Sequence, residues 1–216
     1  MHTITSPEIF FLLKGAQWTL ALSAIGLLLG AVAGLVIALA RTSQVALLRR
    51  VTGGYIALFQ GTPLLMQLFM TYYGLVLVGL KLDAWMAVAI GFTLHASAFL
   101  GEIWRGAIEA VPRGQTEAAN ALGIRYLTRM RHVVLPQAIR ISLPATVGFF
   151  VQLIKGTSLA AIVGFTELAR SGSIVSNQTF KPLMVYAIVG VIYFAMCWPL
   201  SLYSKRLEHK LARAAR

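Results

Sequence analysis

Residues 15–40 run for 26 positions without a charge, and residues 51–80 for another 30. An α-helix needs about 20 apolar residues to cross the hydrocarbon core of a bilayer, where every backbone amide must find its partner inside the chain. Residues 84–101 add 18 uncharged positions and residues 182–204 add 23. Hydrophobic residues make up 58% of the 216, charged residues only 12%, and the mean hydropathy is +0.76. A chain of this kind is an all-α integral membrane protein, not an ordinary soluble domain.

Five crossings within a single transmembrane domain are predicted, over about 15–40, 54–80, 84–110, 141–165 and 182–204. Ser6-Pro7-Glu8 reads as an N-cap, a proline at the first helical position and an early acid, opening a short surface helix over 9–13. No basic residue precedes that stretch and no small-residue cleavage site follows it, so it does not read as a signal peptide. Within the first crossing Gly26, Gly30 and Gly34 recur every four residues, a stripe that lets another helix approach closely. Gly61-Thr62-Pro63 interrupts the second run, because proline removes an amide and disturbs the turn before it. Crossing three continues past Glu102 and Arg105 toward Pro112. Crossing four is expected to be interrupted by Pro144 near its start and by Lys155-Gly156 within it. Residues 167–181 read as a polar loop with a short helix, and residues 205–216 as a basic, solvated tail.

Between crossings three and four lies a polar segment, 113–135. Residues 115–122 are rich in alanine, contain no glycine or proline, and are followed by Gly123, which suits a left-handed helix cap. That predicts a helix of about two turns. Ala118, Ala121 and Leu122 share a small apolar face, and Glu117 is expected in the first turn, where the helix dipole favours an anion. A second helix, over 125–134, is expected to stop before Pro136.

Charge sets the orientation. If the first loop, the middle segment and the tail face the cytoplasm, they hold 14 of the 19 lysines and arginines, among them Arg41, Arg49 and Arg50. The positive-inside rule then places the N-terminus outside and the C-terminus inside. A nucleic-acid binder would cluster such charge on a hydrophilic fold, and here it lies between apolar runs. Cys197 is the sole cysteine and sits in one of those runs, so neither a disulfide framework nor a cysteine metal site is expected. Asp83 is the sole aspartate, which argues against a metal-dependent membrane enzyme.

Several polar residues inside the apolar runs are candidates for a transport pathway. A lysine within a span costs about 2.5 to 3.5 kcal/mol on insertion scales and normally faces a bundle interior or an aqueous cavity. Lys155, with Thr157 and Ser158 beside it, is therefore a candidate pathway lining. Gly61, Thr62 and Pro63 belong in the same set, since broken helices free backbone groups for substrates. Gln67, Gln152 and Ser97 are candidate cavity residues. Glu102 and Arg105, three positions apart, read as a pair with a structural or gating role. His95 reads as a packed or hydrogen-bonded histidine, because no Cys, Asp or second His stands at metal-ligand spacing. Trp85, Tyr72, Tyr73, Trp104 and Trp198 read as interface anchors near span ends.

Glu117-Ala118-Ala119, Gly123 and Leu135-Pro136 together resemble the EAA loop of bacterial ABC-importer permeases. Phe59-Gln60-Gly61-Thr62-Pro63, Tyr72-Tyr73-Gly74, Glu102-Ile103-Trp104-Arg105-Gly106 and Lys155-Gly156-Thr157-Ser158-Leu159 resemble the polar amino acid branch of that family, which carries glutamine, histidine, arginine, cystine and opines. The resemblance implies a type I importer permease in the bacterial inner membrane, paired with a second permease subunit. It implies an ATP-binding subunit dimer seated on Glu117, Ala118, Ala119, Leu122 and Gly123, and an extracytoplasmic solute-binding protein at the outer mouth. No Gly-x-x-x-x-Gly-Lys-Ser/Thr loop is present, so ATP and magnesium are expected in the partner and no cofactor or metal in this chain. The chain departs from the family pattern in carrying Gly156 in place of an acid, Gly148 in place of an asparagine and Gln60 in place of an arginine. A missing carboxylate favours a neutral, acidic or opine-like substrate over arginine or lysine. Composition alone leaves open a passive channel or a membrane scaffold without an ATPase partner.

Overall fold

The computed structural model describes residues 5–214, which form eight helices and no strand. Helix α1 (Ser6–Arg41), α4 (Ala84–Glu109), α6 (Tyr126–Val163) and α8 (Pro182–Ala214) are each long and apolar enough to cross a membrane. The crossing expected over 54–80 is shared by α2 (Ala46–Gln60) and the shorter α3 (Leu64–Leu77). Two non-crossing helices, α5 (Arg113–Ala121) and α7 (Leu168–Thr179), lie in the connections before α6 and after it.

The glycine stripe of α1 makes the tightest seam in the molecule. A methyl group added at Gly30 would stand 2.5 Å from the Ala96 Cβ, and one at Gly34 3.0 Å from the Leu100 Cβ. At Gly26 the Phe92 Cβ would be 2.9 Å away. Phe92, Ala96 and Leu100 follow the same four-residue spacing on α4 and are fully buried, so the two helices mesh backbone to side chain. Leu22, Leu68, Phe149 and Leu153 close the same core from α1, α3 and α6. The opposite flanks, such as Leu28 and Val32 on α1 and Val191 and Phe194 on α8, are exposed and suit acyl chains.

Three local expectations are corrected. No separate surface helix exists over 9–13. Helix α1 runs unbroken through Lys14, since neither Lys14 nor Gly15 disrupts its hydrogen bonds, and its N-cap is Thr5, whose amide donates to Glu8 Oε2 at 2.9 Å. The chain does not stop before Pro136. A wide π turn at Met130–Val134 carries the helix past the proline, and the Gln137 side-chain amide donates to the Val133 carbonyl at 2.8 Å. Pro144 is likewise accommodated inside α6, with its carbonyl accepting from Ser204 Oγ at 2.8 Å. The basic tail is largely exposed, as expected, and helical: α8 continues through Ala214. Good helix formers fill 205–214, so nothing local stops it.

The segment expected to be loop after crossing four is ordered by one carboxylate. Helix α6 tightens to 3₁₀ over Thr157–Val163 and ends at Gly164, whose φ of 90° requires glycine. Glu167 then caps α7, accepting from the amides of Ala169 at 2.9 Å and Arg170 at 2.8 Å. It is fully buried and also accepts from Tyr193 Oη on α8 at 2.8 Å and Thr19 Oγ1 on α1 at 3.4 Å. Three helices are pinned at one point.

Candidate transport pathway and docking helix

Helix α5 stands at the same end of the bundle as the α1–α2 connection. Pro112 precedes it with extended backbone, and Gly123 closes it at φ 69° while its amide donates to the Asn120 carbonyl at 2.9 Å. The helix starts at Arg113, so Glu117 falls in the second turn and not the first as expected; residues 113 and 114 extend the predicted start by one half turn. Glu117, Ala118, Ala121, Leu122 and Gly123 are exposed, Leu122 at 78%. Ala119 is turned inward at 4% exposure, so it packs within its own chain and is not presented on the outer face. The side chain of Arg129, which lies over the Tyr126 ring at 5.3 Å, donates to Asn120 and ties α5 to α6. Between α5 and the end of α4 lies a cavity of about 520 Å³, bounded by Ile108, Glu109, Arg113, Thr116 and Glu117.

One turn above, Arg105 grips two acids. Its Nε donates to Glu102 Oε2 at 2.8 Å, its Nη2 to Glu102 Oε1 at 2.5 Å, and its Nη1 to Glu109 at 2.5 Å. Such a bidentate pair fixes both side chains along α4.

The break at Gly61–Pro63 is stitched by Gln67. With α2 stopped and α3 begun, the carbonyls of Phe59 and Thr62 lose helical partners, and Gln67 Nε2 donates to them at 2.7 and 3.0 Å. That assigns the amide: Gln67 Oε1 must face His95 Nδ1, 2.9 Å away, and accept from it. His95 therefore carries a proton on Nδ1. Its ring stacks near Phe99 and Phe149, at centroid distances of 4.4 and 6.1 Å. Leu64, His95, Phe99, Gly148, Phe149 and Gln152 bound a cavity of about 550 Å³. A second, largely apolar cavity of about 420 Å³ lies beside it against Thr62, Met66, Gln67 and Ile90.

The remaining candidates do not converge there. Lys155 is exposed in a groove of about 370 Å³ with Tyr193, Cys197, Trp198 and Ser201 of α8. Thr157 is fully buried and donates to the Ile154 carbonyl at 2.7 Å, and Ser158 donates to the Lys155 carbonyl at 2.9 Å. Ser97 is also buried, within 2.7 Å of Tyr55 Oη, and lines neither of these two cavities. Gln152, one turn before Lys155, does line the larger one. The stripe Gly148, Gln152, Lys155 on α6 thus crosses from one groove to the next. Among the described residues no cluster of three or more His, Cys, Asp or Glu could hold a metal.

Sequence reasoning missed Glu167 as a junction, having placed it in a loop. The signal available was a carboxylate directly before a helical stretch, a common cap pattern.

Known proteins share this arrangement. The probable amino-acid ABC transporter permease YckA of Bacillus subtilis (strain 168) is 39% identical over 202 residues, which cover 94% of this chain and 89% of that protein. The L-cystine transport system permease TcyB of the same organism is 36% identical, over 92% of this chain and 86% of its own. A crystal structure of an amino acid ABC transporter with histidines matches 97% of this chain and all of that chain, at 32% identity and a TM-score of 0.87. Residues 16–213 match the family described as binding-protein-dependent transport system inner membrane component, and the chain belongs to that family of multi-pass inner-membrane ABC permeases.

Proposed function

We propose that this chain is the transmembrane subunit of an ATP-driven importer of polar amino acids or related compounds, with α5 as the lever through which a separate ATPase acts. The observation that carries the reading is an alanine-rich helix with its small face exposed, braced on α4 and α6, in a chain similar throughout to amino-acid permeases. Two copies, or this chain and a sibling, enclose the pathway. Two ATP-binding subunits, which hold ATP and magnesium, seat on Glu117, Ala118, Leu122 and Gly123, and a solute-binding protein delivers substrate at the outer face. The charge asymmetry of the loops supports a cytoplasmic α5. ATP-driven closure of the ATPases brings two such helices together. Because α5 is tied to α6 through Arg129 and Asn120, motion there turns the crossing that bears Gln152 and Lys155. Glu102 and Arg105 brace the inner end of α4 as part of the inner gate.

Gly61, Thr62, Pro63 and Gln67 shape the pathway side by holding the helix break open. Lys155, with Ser158 and the more deeply placed Thr157, offers a positive charge toward a substrate carboxylate. Gly156 supplies no opposing acid. A Cβ there would stand 3.0 Å from Leu64 Cδ2, so a side chain at this position needs only a small movement of the leucine. The substrate is accordingly neutral, acidic or opine-like. ATPase activity of the reconstituted complex, measured with its solute-binding protein and a panel of amino acids, tests both points. Stimulation by a neutral or acidic amino acid is expected, and selective stimulation by arginine would overturn the substrate class.

A further inference from the structure

Three arginines gather where α1 gives way to α2. Arg41 ends α1 and its Nη1 donates to the Arg49 carbonyl at 3.2 Å, while Arg49 Nη1 donates to the Ser43 carbonyl at 2.9 Å. These carbonyls hold the guanidiniums in place without neutralising them. Glu102 lies within electrostatic reach of Arg41 but is already gripped by Arg105. The ion pairs among the described residues are those of Arg105 with Glu102 and Glu109, so no carboxylate among those residues pairs with Arg41, Arg49 or Arg50. Gly53 lets Arg41 lie against α2, since a Cβ there would stand 3.3 Å from Arg41 Nη1, and the Arg41 Nε is buried without an acceptor.

The same corner continues into an apolar stripe. Leu47, Val51 and Leu58 are exposed at helical spacing on α2, with open space at Gly54 between them. Arg50, three residues after Leu47, rises from that stripe at its first turn and is exposed. A cationic cluster at one end of an exposed apolar face matches a ligand with an anionic head and acyl tails.

We infer that Arg41, Arg49 and Arg50, with the Leu47–Val51 face of α2, bind the headgroup and upper acyl chains of an anionic phospholipid. Charge complementarity selects the headgroup, and the stripe separates it from a free anion, which has no use for leucines. The inference goes beyond transport itself, because none of these residues belongs to the pathway or to the face of α5.

The test uses the intact purified transporter in detergent, with retention of phosphatidylglycerol against phosphatidylcholine read by native mass spectrometry. Phosphatidylglycerol retained in preference is expected, with Arg49→Gln/Arg50→Gln lowering its affinity about twenty-fold, near fivefold for each charge removed. Lys205→Gln/Arg206→Gln in α8 should leave it unchanged. Thermal stability of the first variant reports its fold; if it falls, Arg49→Lys/Arg50→Lys, which keeps the charge, should restore both stability and retention. Equal retention of the two lipids, or an unaltered affinity in Arg49→Gln/Arg50→Gln, overturns the inference. Displacement of phosphatidylglycerol by millimolar inorganic phosphate alone also overturns it, by reducing the corner to an anion site. So does Leu47→Asp/Val51→Asp if it separates the permease pair while lipid retention stands, because the stripe then belongs to a second subunit.

Discussion

Small residues serve opposite ends in two regions of this molecule. In the α1–α4 seam Gly26, Gly30 and Gly34 are buried against Phe92, Ala96 and Leu100, and their lack of a side chain is spent on contact within the chain. On α5, Ala118, Ala121 and Gly123 are equally small and face outward with nothing against them; Gly123 has no neighbour within 4 Å of where its Cβ would be. Without side chains to fill space, a helix face is flat and lets another backbone come close. The seam uses that closeness within the fold, and on α5 it is left open at the surface.

The difference predicts how substitutions divide. The largest effect belongs to Gly30→Leu, which forces several atoms into a position already 2.5 Å from Ala96. Extra methylenes in a packed core cost about 1–3 kcal/mol and sometimes more, and four carbons driven against the Ala96 and Ser97 backbone put this variant above that range, so it should accumulate poorly and melt early in a fluorescence-detected thermal assay. A stable variant would mean that the two helices slide apart more easily than the mesh implies. Next comes Glu167→Leu, which leaves two helix-cap amides and Tyr193 without their acceptor. A loss of roughly 2–4 kcal/mol is expected, partly recovered in Glu167→Gln, which can still accept from some of them. The smallest effect on stability is that of Gly123→Ala. It introduces a Cβ at φ 69° but meets no neighbour, so the cost is the left-handed strain of about 1 kcal/mol. A melting shift as large as that of Gly30→Leu would show that α5 is packed after all.

The two regions also differ in how far the sequence disclosed them. The seam was readable because a four-residue repeat of glycine has one physical use in an apolar helix, and α5 because alanine, leucine and a trailing glycine obey local helix rules. Its orientation was not readable. Two residues of difference in the start, at Arg113, moved Glu117 out of the first turn, and only packing against α6 decided that Ala119 faces inward. Continuity past Pro136 was hidden because the turn before it is the wider π form, which proline tolerates, and single residues give no signal for that choice. Lys155 and Gln67 were grouped by polarity alone. The fold separates them into different grooves, since side chains one helical face apart see different neighbours. Gln67 and His95 lie 28 residues apart and meet only through the packing of α3 on α4.

Most direct for the central claim is substrate uptake in cells or vesicles carrying Glu117→Lys or Gly123→Glu, alongside membrane insertion and thermal stability of the same variants. If α5 transmits force from an ATPase, insertion and melting stay near those of the unaltered chain while uptake and substrate-stimulated ATP hydrolysis fall at least about tenfold, the equivalent of roughly 1.4 kcal/mol of lost coupling. Normal uptake in both variants, with both properly folded, would contradict the account.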